Sequence, residues 1–63
     1  MLFQPPRFPD AKRAERMAER DLRAVLSDAQ TWVMYAHRPD LRRSAMDAVA
    51  VLRAELLRRG RAA

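Results

Sequence analysis

Two long stretches of the chain show the hydrophobic repeat of an amphipathic α-helix. In the first stretch, residues 10–37, the apolar side chains fall within about 60° of Ala29 on a helical wheel, and only Glu15 interrupts their face. The residues of this face are Ala11, Ala14, Ala18, Leu22, Val25, Leu26, Ala29, Trp32, Val33 and Ala36. Six of them alternate spacings of four and three, which predicts a single helix with a coiled-coil-like apolar seam, and these are Ala18, Leu22, Val25, Ala29, Trp32 and Ala36.

The second helical stretch, residues 40–59, has a wider apolar arc than the first. Pro39 separates the two stretches, because the residue before a proline avoids the helical region of backbone space. Gly60 follows the second stretch, where a left-handed C-cap is favoured. Ser44 and Asp47 also match a capping box, so the second helix has an alternative start at Ser44. The arc consists of Leu41, Ala45, Met46, Val49, Leu52, Leu56 and Leu57.

Residues 1–9 differ from both helical stretches because prolines stand at positions 5, 6 and 9. Proline locks φ and pushes its neighbours toward extended backbone, which predicts a polyproline-like arm. Asp10 then provides an N-cap side chain for the first helix. We expect the arm to dock through its apolar residues, which are Leu2, Phe3 and Phe8.

The fold class predicted from these elements is all-α, an antiparallel two-helix hairpin with an extended Pro-rich N-terminal arm. The turn is expected at 38–40, between a helix over 10–37 and a helix over 40–59. Folding at Pro39 places Leu22 opposite Leu56 and Trp32 opposite Ala45 and Met46. The residues predicted for the core or a dimer seam are Leu22, Val25, Leu26, Trp32, Val49, Leu52 and Leu56.

The two predicted helices differ in length, so the first two turns of the first helix overhang the second. Ala11 and Ala14 would remain uncovered there, and the wide arc of the second helix would not be satisfied by one neighbour. We therefore expect a homodimer packed as a four-helix bundle. The alternative is a monomer in which the N-terminal arm folds over the open side as a third layer.

Length and composition favour a small helical protein with little core of its own. The chain has 63 residues, no cysteine, a single glycine and a formal net charge of +5. All of the lysine and arginine residues are arginine except Lys12. This excess of arginine over lysine, together with abundant alanine, is typical of a GC-rich bacterial or phage genome. The sequence shows no signal-peptide core and no apolar run that approaches the about 20 residues of a membrane span. We therefore expect a cytoplasmic protein without a membrane partner.

The sequence offers little for catalysis or metal binding. His37 is the only histidine, and among carboxylates three or four residues away only Asp40 is placed to join it in a metal site. A position near the end of the first helix suits His37 as a structural residue instead. Without cysteine or a glycine-rich loop, we expect no enzyme, no cofactor and no metal.

Arginines are the strongest functional signal in the sequence. Four of them recur at helical spacing opposite the apolar face and predict one column of guanidinium groups, either a solvated surface or a partner-binding one. A second cluster ends the second helix, where cations also stabilise the helix dipole. Arg42 and Arg53 project close to the apolar arc, so they either extend along it to water or pair with Asp21 or Asp28. The predicted partner-binding residues are Arg13, Arg16, Arg20, Arg23, Arg53, Arg58 and Arg59.

Two hypotheses about function follow from these features. The first is a non-catalytic protein-binding module, an adaptor, subunit or inhibitor, that presents its arginines to an acidic partner surface. The second is a nucleic-acid-binding regulator that contacts phosphates through the same arginines. The first is favoured because no aromatic residue interleaves with the arginine column to stack on bases.

Overall fold

The computed structural model describes residues 7–62, which form three α-helices and no strand. The helices are α1 (Ala11–Arg16), α2 (Glu19–Tyr35) and α3 (Pro39–Arg58). The prediction of an all-helical fold is therefore confirmed for this part of the chain. The predicted docking residues Leu2 and Phe3 lie outside the described residues.

The first helix begins where its capping residue predicts. The Asp10 side chain accepts a hydrogen bond from the backbone N–H of Arg13 at 2.8 Å, which satisfies one of the free donors of the first turn. The helix then ends after six residues, because Met17 and Ala18 both adopt extended backbone. The single helix predicted over 10–37 is therefore wrong, and α1 and α2 stand in its place.

The break at Met17 and Ala18 removes the overhang that a continuous helix would create. α3 has 20 residues and measures about 30 Å, whereas an unbroken first helix would extend to about 42 Å. In the structure α1 turns back and packs against α3, where Ala14 is fully buried. The buried contact of α1 with α3 offsets the helical hydrogen bonds lost at the break.

The segment before α1 also lies on α3. Phe8 is half-buried and packs against the core, and Pro9 is buried. Phe8 lies near Ala48 and Val51 of α3, and Arg59 beyond the end of α3 contacts the end of α1. The chain from Phe8 to the end of α1 therefore follows α3 in the same direction. This segment forms a third layer against α3, and six of its nine residues, those of α1, are helical rather than extended.

The second and third helices form the predicted antiparallel hairpin. Residues 36–38 connect them, and Pro39 occupies the first turn of α3, where its missing N–H costs no helical hydrogen bond. At the opposite end Arg61 Nε lies 2.8 Å from Glu19 Oε1, which brings the end of α3 beside the start of α2. The helix therefore starts at Pro39, and the alternative start at Ser44 is wrong.

The third helix ends in a Schellman motif at the single glycine. Gly60 has φ of 77°, and its N–H donates to the carbonyl of Leu57 at 2.9 Å. The N–H of Arg61 donates to the carbonyl of Leu56 at 2.9 Å, so both hydrogen bonds of the motif are present. The predicted left-handed cap is confirmed, and the turn directs Arg61 toward α2.

The core lies where α1, α2 and α3 meet. Its buried members are Ala14, Leu22, Leu26, Ala29, Ala48, Leu52 and Leu56. Val25 and Val49, also predicted for the seam, are half-buried against this cluster, and Trp32 is half-buried. The residues predicted for the core or a dimer seam thus belong mainly to the core of a single chain. Met46, expected to face Trp32 in the core, is instead 55% exposed.

Candidate binding surface

The predicted arginine column is divided between two helices. Arg13 and Arg16 belong to α1, whereas Arg20 and Arg23 belong to α2, and all four are exposed. Because the extended residues at 17 and 18 interrupt the helical phase, the four side chains do not form one column on a continuous helix. The guanidinium groups of Arg13, Arg16 and Arg20 form neither an ion pair nor a hydrogen bond within residues 7–62.

Arg23 takes part in a small network at the end of the hairpin. Its Nε donates to Glu19 Oε2 at 3.1 Å, and its Nη2 donates to the carbonyl of Ala62 at 3.1 Å. The hydrogen bond from Arg23, followed by the charges of Arg61 and Arg23, lowers the pKa of Glu19 below its usual value. Arg23 therefore already binds groups of its own chain, unlike the other members of the predicted column.

The second predicted cluster, Arg58 and Arg59, surrounds a buried carboxylate that the sequence did not single out. Glu55 is 5% exposed, and its Oε2 accepts hydrogen bonds of 2.6 Å from Arg58 Nη2 and from Arg59 Nε. These bonds, with Arg58 as the larger contributor, lower the pKa of Glu55 to about 2. Glu55 therefore stays ionised over the whole neutral range and holds both guanidinium groups in place.

Arg59 also connects α3 to α1. Its Nη2 donates to the carbonyls of Ala14 and Glu15, each at 3.1 Å, and these carbonyls belong to the last turn of α1. A cation at a helix C-terminus satisfies free acceptors and stabilises the helix dipole. In the structure Arg58 and Arg59 thus serve the packing of α1, although they were predicted as partner-binding residues.

Arg42 and Arg53, which the sequence placed near the apolar arc of α3, have different environments. Arg42 Nη2 donates to the carbonyl of Ala36 at 3.3 Å, at the end of α2. Arg53 is exposed and makes no ion pair among the described residues, so of its two predicted alternatives the pairing with Asp21 or Asp28 is wrong. The reason is geometric, since Asp21 and Asp28 lie about 160° or more around α2 from Gln30, which borders Arg53.

An apolar groove between α2 and α3 is the feature that the sequence reasoning missed. It is lined by Gln30, Val33, Met34, Met46, Val49, Ala50 and Arg53. Met34 is 70% exposed and Met46 is 55% exposed, although both are large apolar residues. The wide apolar arc of the second helix was the available signal, but the side on which α1 would pack was not evident from it.

Within residues 7–62, neither a metal site nor a membrane-spanning helix accompanies the groove. His37 is exposed after α2, in a shallow depression with Arg42, Arg43 and Asp47. Among residues 7–62 no cluster of three or more potential ligands is placed to hold a metal ion. No helix in this part of the chain has both the length and the apolar character required to cross a bilayer.

Comparisons with known proteins do not assign this arrangement to a family. No family model matches the chain, and no curated protein or solved structure matches it either. The unpaired arginines and the open groove are therefore the features of the chain that can indicate a function.

Proposed function

We propose that this chain is a small non-catalytic protein-binding module that works in the cytoplasm as an adaptor, subunit or inhibitor of a larger bacterial or phage assembly. It presents arginines to an acidic surface of a protein partner. The observation that carries the proposal is a set of exposed guanidinium groups, those of Arg13, Arg16, Arg20 and Arg53, that no group in residues 7–62 pairs with. Arginine and carboxylate form bidentate, charge-assisted hydrogen bonds, so an acidic partner would satisfy these donors.

The division of labour among the arginines supports this proposal. Arg23, Arg58 and Arg59 make hydrogen bonds inside the chain, so losing them would disturb the fold. Arg13, Arg16, Arg20 and Arg53 contribute nothing comparable to internal packing, and they remain available for another molecule. We therefore assign partner binding to the second group and a structural role to the first. The proposed partner-binding residues are therefore Arg13, Arg16, Arg20 and Arg53.

A nucleic-acid-binding regulator is the second candidate, favoured by the formal net charge of +5. Phosphates would accept hydrogen bonds from the same arginines. The exposed aromatic residue Tyr35, however, ends α2 beside the connection to α3, whereas Arg20 lies at the start of α2. Over a separation of 15 residues, about 22 Å of helix, Tyr35 cannot stack on a base that Arg20 contacts.

A homodimer packed as a four-helix bundle would have to form its interface from surface that the single chain leaves exposed. Leu22, Leu26, Leu52 and Leu56 are buried within one chain and are unavailable as a seam. Light scattering at increasing protein concentration measures the oligomeric state directly. The mass of one chain, 7.3 kDa, would identify a monomer.

The experiment that tests the proposed function compares two classes of polyanion as ligands, an acidic peptide and nucleic acid. A fluorescent glutamate-rich helical peptide and random-sequence RNA and DNA of similar charge are titrated with the protein at 50 mM salt and at higher salt. We expect the peptide to bind and the double variant Arg16→Glu with Arg20→Glu to bind it more weakly, with unchanged helicity by circular dichroism. Micromolar binding of nucleic acid that falls steeply with salt, together with no binding of the peptide, would support the second candidate instead.

A further inference from the structure

The groove between α2 and α3 lies on the side of the hairpin that α1 does not cover. Around α3, Met46 and Arg53 lie about 140° or more from Ala48, Val51 and Glu55, which neighbour the N-terminal segment and α1. Ala50 lies between these two surfaces. α1 and Phe8 therefore bury one surface of α3, whereas the opposite surface keeps its apolar residues in contact with water. Nothing within residues 7–62 is placed to cover this second surface.

The lining of the groove suits the apolar side of a helix. Val33 and Val49 are half-buried and form its floor, and Met34 and Met46 stand at its two walls. Methionine is unbranched, flexible and polarizable, so methionine-lined surfaces adapt to side chains of different shapes. An amphipathic helix would place residues spaced three and four apart along such a groove.

The charges bordering the groove are positive. On α3, the charged residues within about 70° of the groove centre are Arg42, Arg43 and Arg53. The acidic residues of α3 lie about 100° or more from that centre, beyond the walls of the groove. They are Asp40, Asp47 and Glu55.

On α2 one carboxylate, Glu19, shares the surface of the groove. It lies eleven residues before Gln30, which is about 16 Å along the helix axis. Arg23 and Arg61 already form ion pairs with it. The border of the groove therefore carries a net positive charge, because its one carboxylate is already paired with two arginines.

From this combination we propose that the groove binds an amphipathic helix of a partner protein whose apolar side carries leucine-like residues and whose flanks carry Asp or Glu. The inference rests on the proposed function, and it names the surface and the chemistry of the partner. Carboxylates on the flanks would pair with Arg53 and with Arg42 or Arg43, while the apolar side covers the two methionines. A second copy fits less well, because a two-fold interface would bring the same cationic borders together without carboxylates to pair with them.

The chain contains its own reporters for a test of this site. In protein labelled with ¹³C at the methionine methyl groups, Met34 and Met46 report on the groove, and half-buried Met17 reports on the opposite side near α1. Two helical peptides of equal length are added separately. Both carry leucines at positions i, i+3, i+4 and i+7, with glutamates on the flanks of one and lysines on the flanks of the other.

We expect the glutamate peptide to shift the methyl resonances of Met34 and Met46 and to leave that of Met17 in place. The lysine peptide should cause no shift. Arg53→Glu should weaken binding of the glutamate peptide about tenfold, because it replaces an attraction by a repulsion. The matched control Lys12→Glu makes the same change from a positive to a negative charge, on α1, outside the groove and away from the residues assigned to partner binding. It should weaken binding less than twofold, and Arg53→Ala gives a second variant without repulsion.

Other outcomes would overturn the site and separate it from the proposed function. If the glutamate peptide binds but shifts only Met17, or binds Arg53→Glu as tightly as the original chain, the groove is wrong while the proposed function stands. Shifts of Met34 and Met46 that grow with protein concentration alone would identify a second copy as the occupant. Binding of RNA or DNA in place of the peptide would contradict both the groove and the proposed function.

Discussion

The wide apolar arc of α3 is covered on one side of the helix and exposed on the other. One side is covered by the N-terminal segment and α1, with small Ala14 at the contact and the Glu55–Arg59 pair at its end. The other side keeps Met46 and Leu57 exposed and carries an unpaired Arg53. α1 therefore completes the core on one side of α3 only, and the apolar residues of the other side stay exposed.

The largest expected difference between the two kinds of surface concerns two leucines of α3. Leu52 is fully buried, whereas Leu57 is 63% exposed. Leu52→Ala should cost about 2–5 kcal/mol, because it removes buried apolar contacts and leaves a cavity. Leu57→Ala should change the free energy of unfolding by no more than about 0.5 kcal/mol.

Urea unfolding followed by circular dichroism measures both variants. In a chain of 63 residues the loss expected for Leu52→Ala is a large part of the total stability. Equal effects of the two substitutions would mean that the exposed surface is buried in solution, for example by a second chain.

A smaller effect is expected at the contact of α1 with α3. Ala14 is fully buried there, and Ala11, one turn earlier in the same helix, is exposed. Ala14→Leu should destabilise the chain by about 1–3 kcal/mol, because the added methylenes have no space. Ala11→Leu is the matched control and should have little effect. Thermal unfolding compares them, and a neutral Ala14→Leu would show that α1 does not pack on α3 as described.

The smallest expected effect is a pH dependence that originates at Glu55. The hydrogen bonds from Arg58 and Arg59 lower its pKa from 4.5 to about 2 in the folded chain. Because the folded pKa is below the unfolded one, the stabilisation is complete above pH 4.5 and is lost as the pH falls toward about 2. The unfolding temperature should therefore decrease across this interval.

Glu55→Gln should reduce that decrease, since glutamine does not titrate. Glu19→Gln is the comparison variant. The pKa of Glu19 is also lowered, so this variant measures how much a second carboxyl group adds to the decrease. A decrease of the same size in Glu55→Gln would assign the pH dependence to other carboxyl groups. Measuring the unfolding temperature of the three proteins at several pH values distinguishes these cases.

Local signals in the sequence located three of the helix ends. Asp10, Pro39 and Gly60 each act within a few residues, through a cap, a missing N–H and a positive φ. The end of α1 carries no such signal, because positions 17 and 18 are methionine and alanine rather than glycine or proline. The local charges give a weak indication, with Arg13 and Arg16 in the last turn of α1 and acidic residues in the first turn of α2.

The candidate binding surface was predicted only in part for the same physical reason. Residue type and spacing identified the arginines, but the carboxylate of Glu55 determines which of them are occupied inside the chain. The width of the apolar arc indicated that α3 needs more than one neighbour. Which of its residues stay exposed depends on contacts between distant segments, and periodicity does not report those contacts.

The bend at Met17 and Ala18 has a consequence for how this chain encodes its shape. Alanine is the strongest helix former, and methionine is also a good one, so these two residues by themselves favour a straight rod. Two contacts of α1 with α3 accompany the extended backbone: Ala14 is buried, and Arg59, more than forty positions further along the chain, holds the last carbonyls of α1. The direction of α1 therefore depends on residues at the end of α3, and substitutions there can redirect a segment that they do not adjoin in sequence.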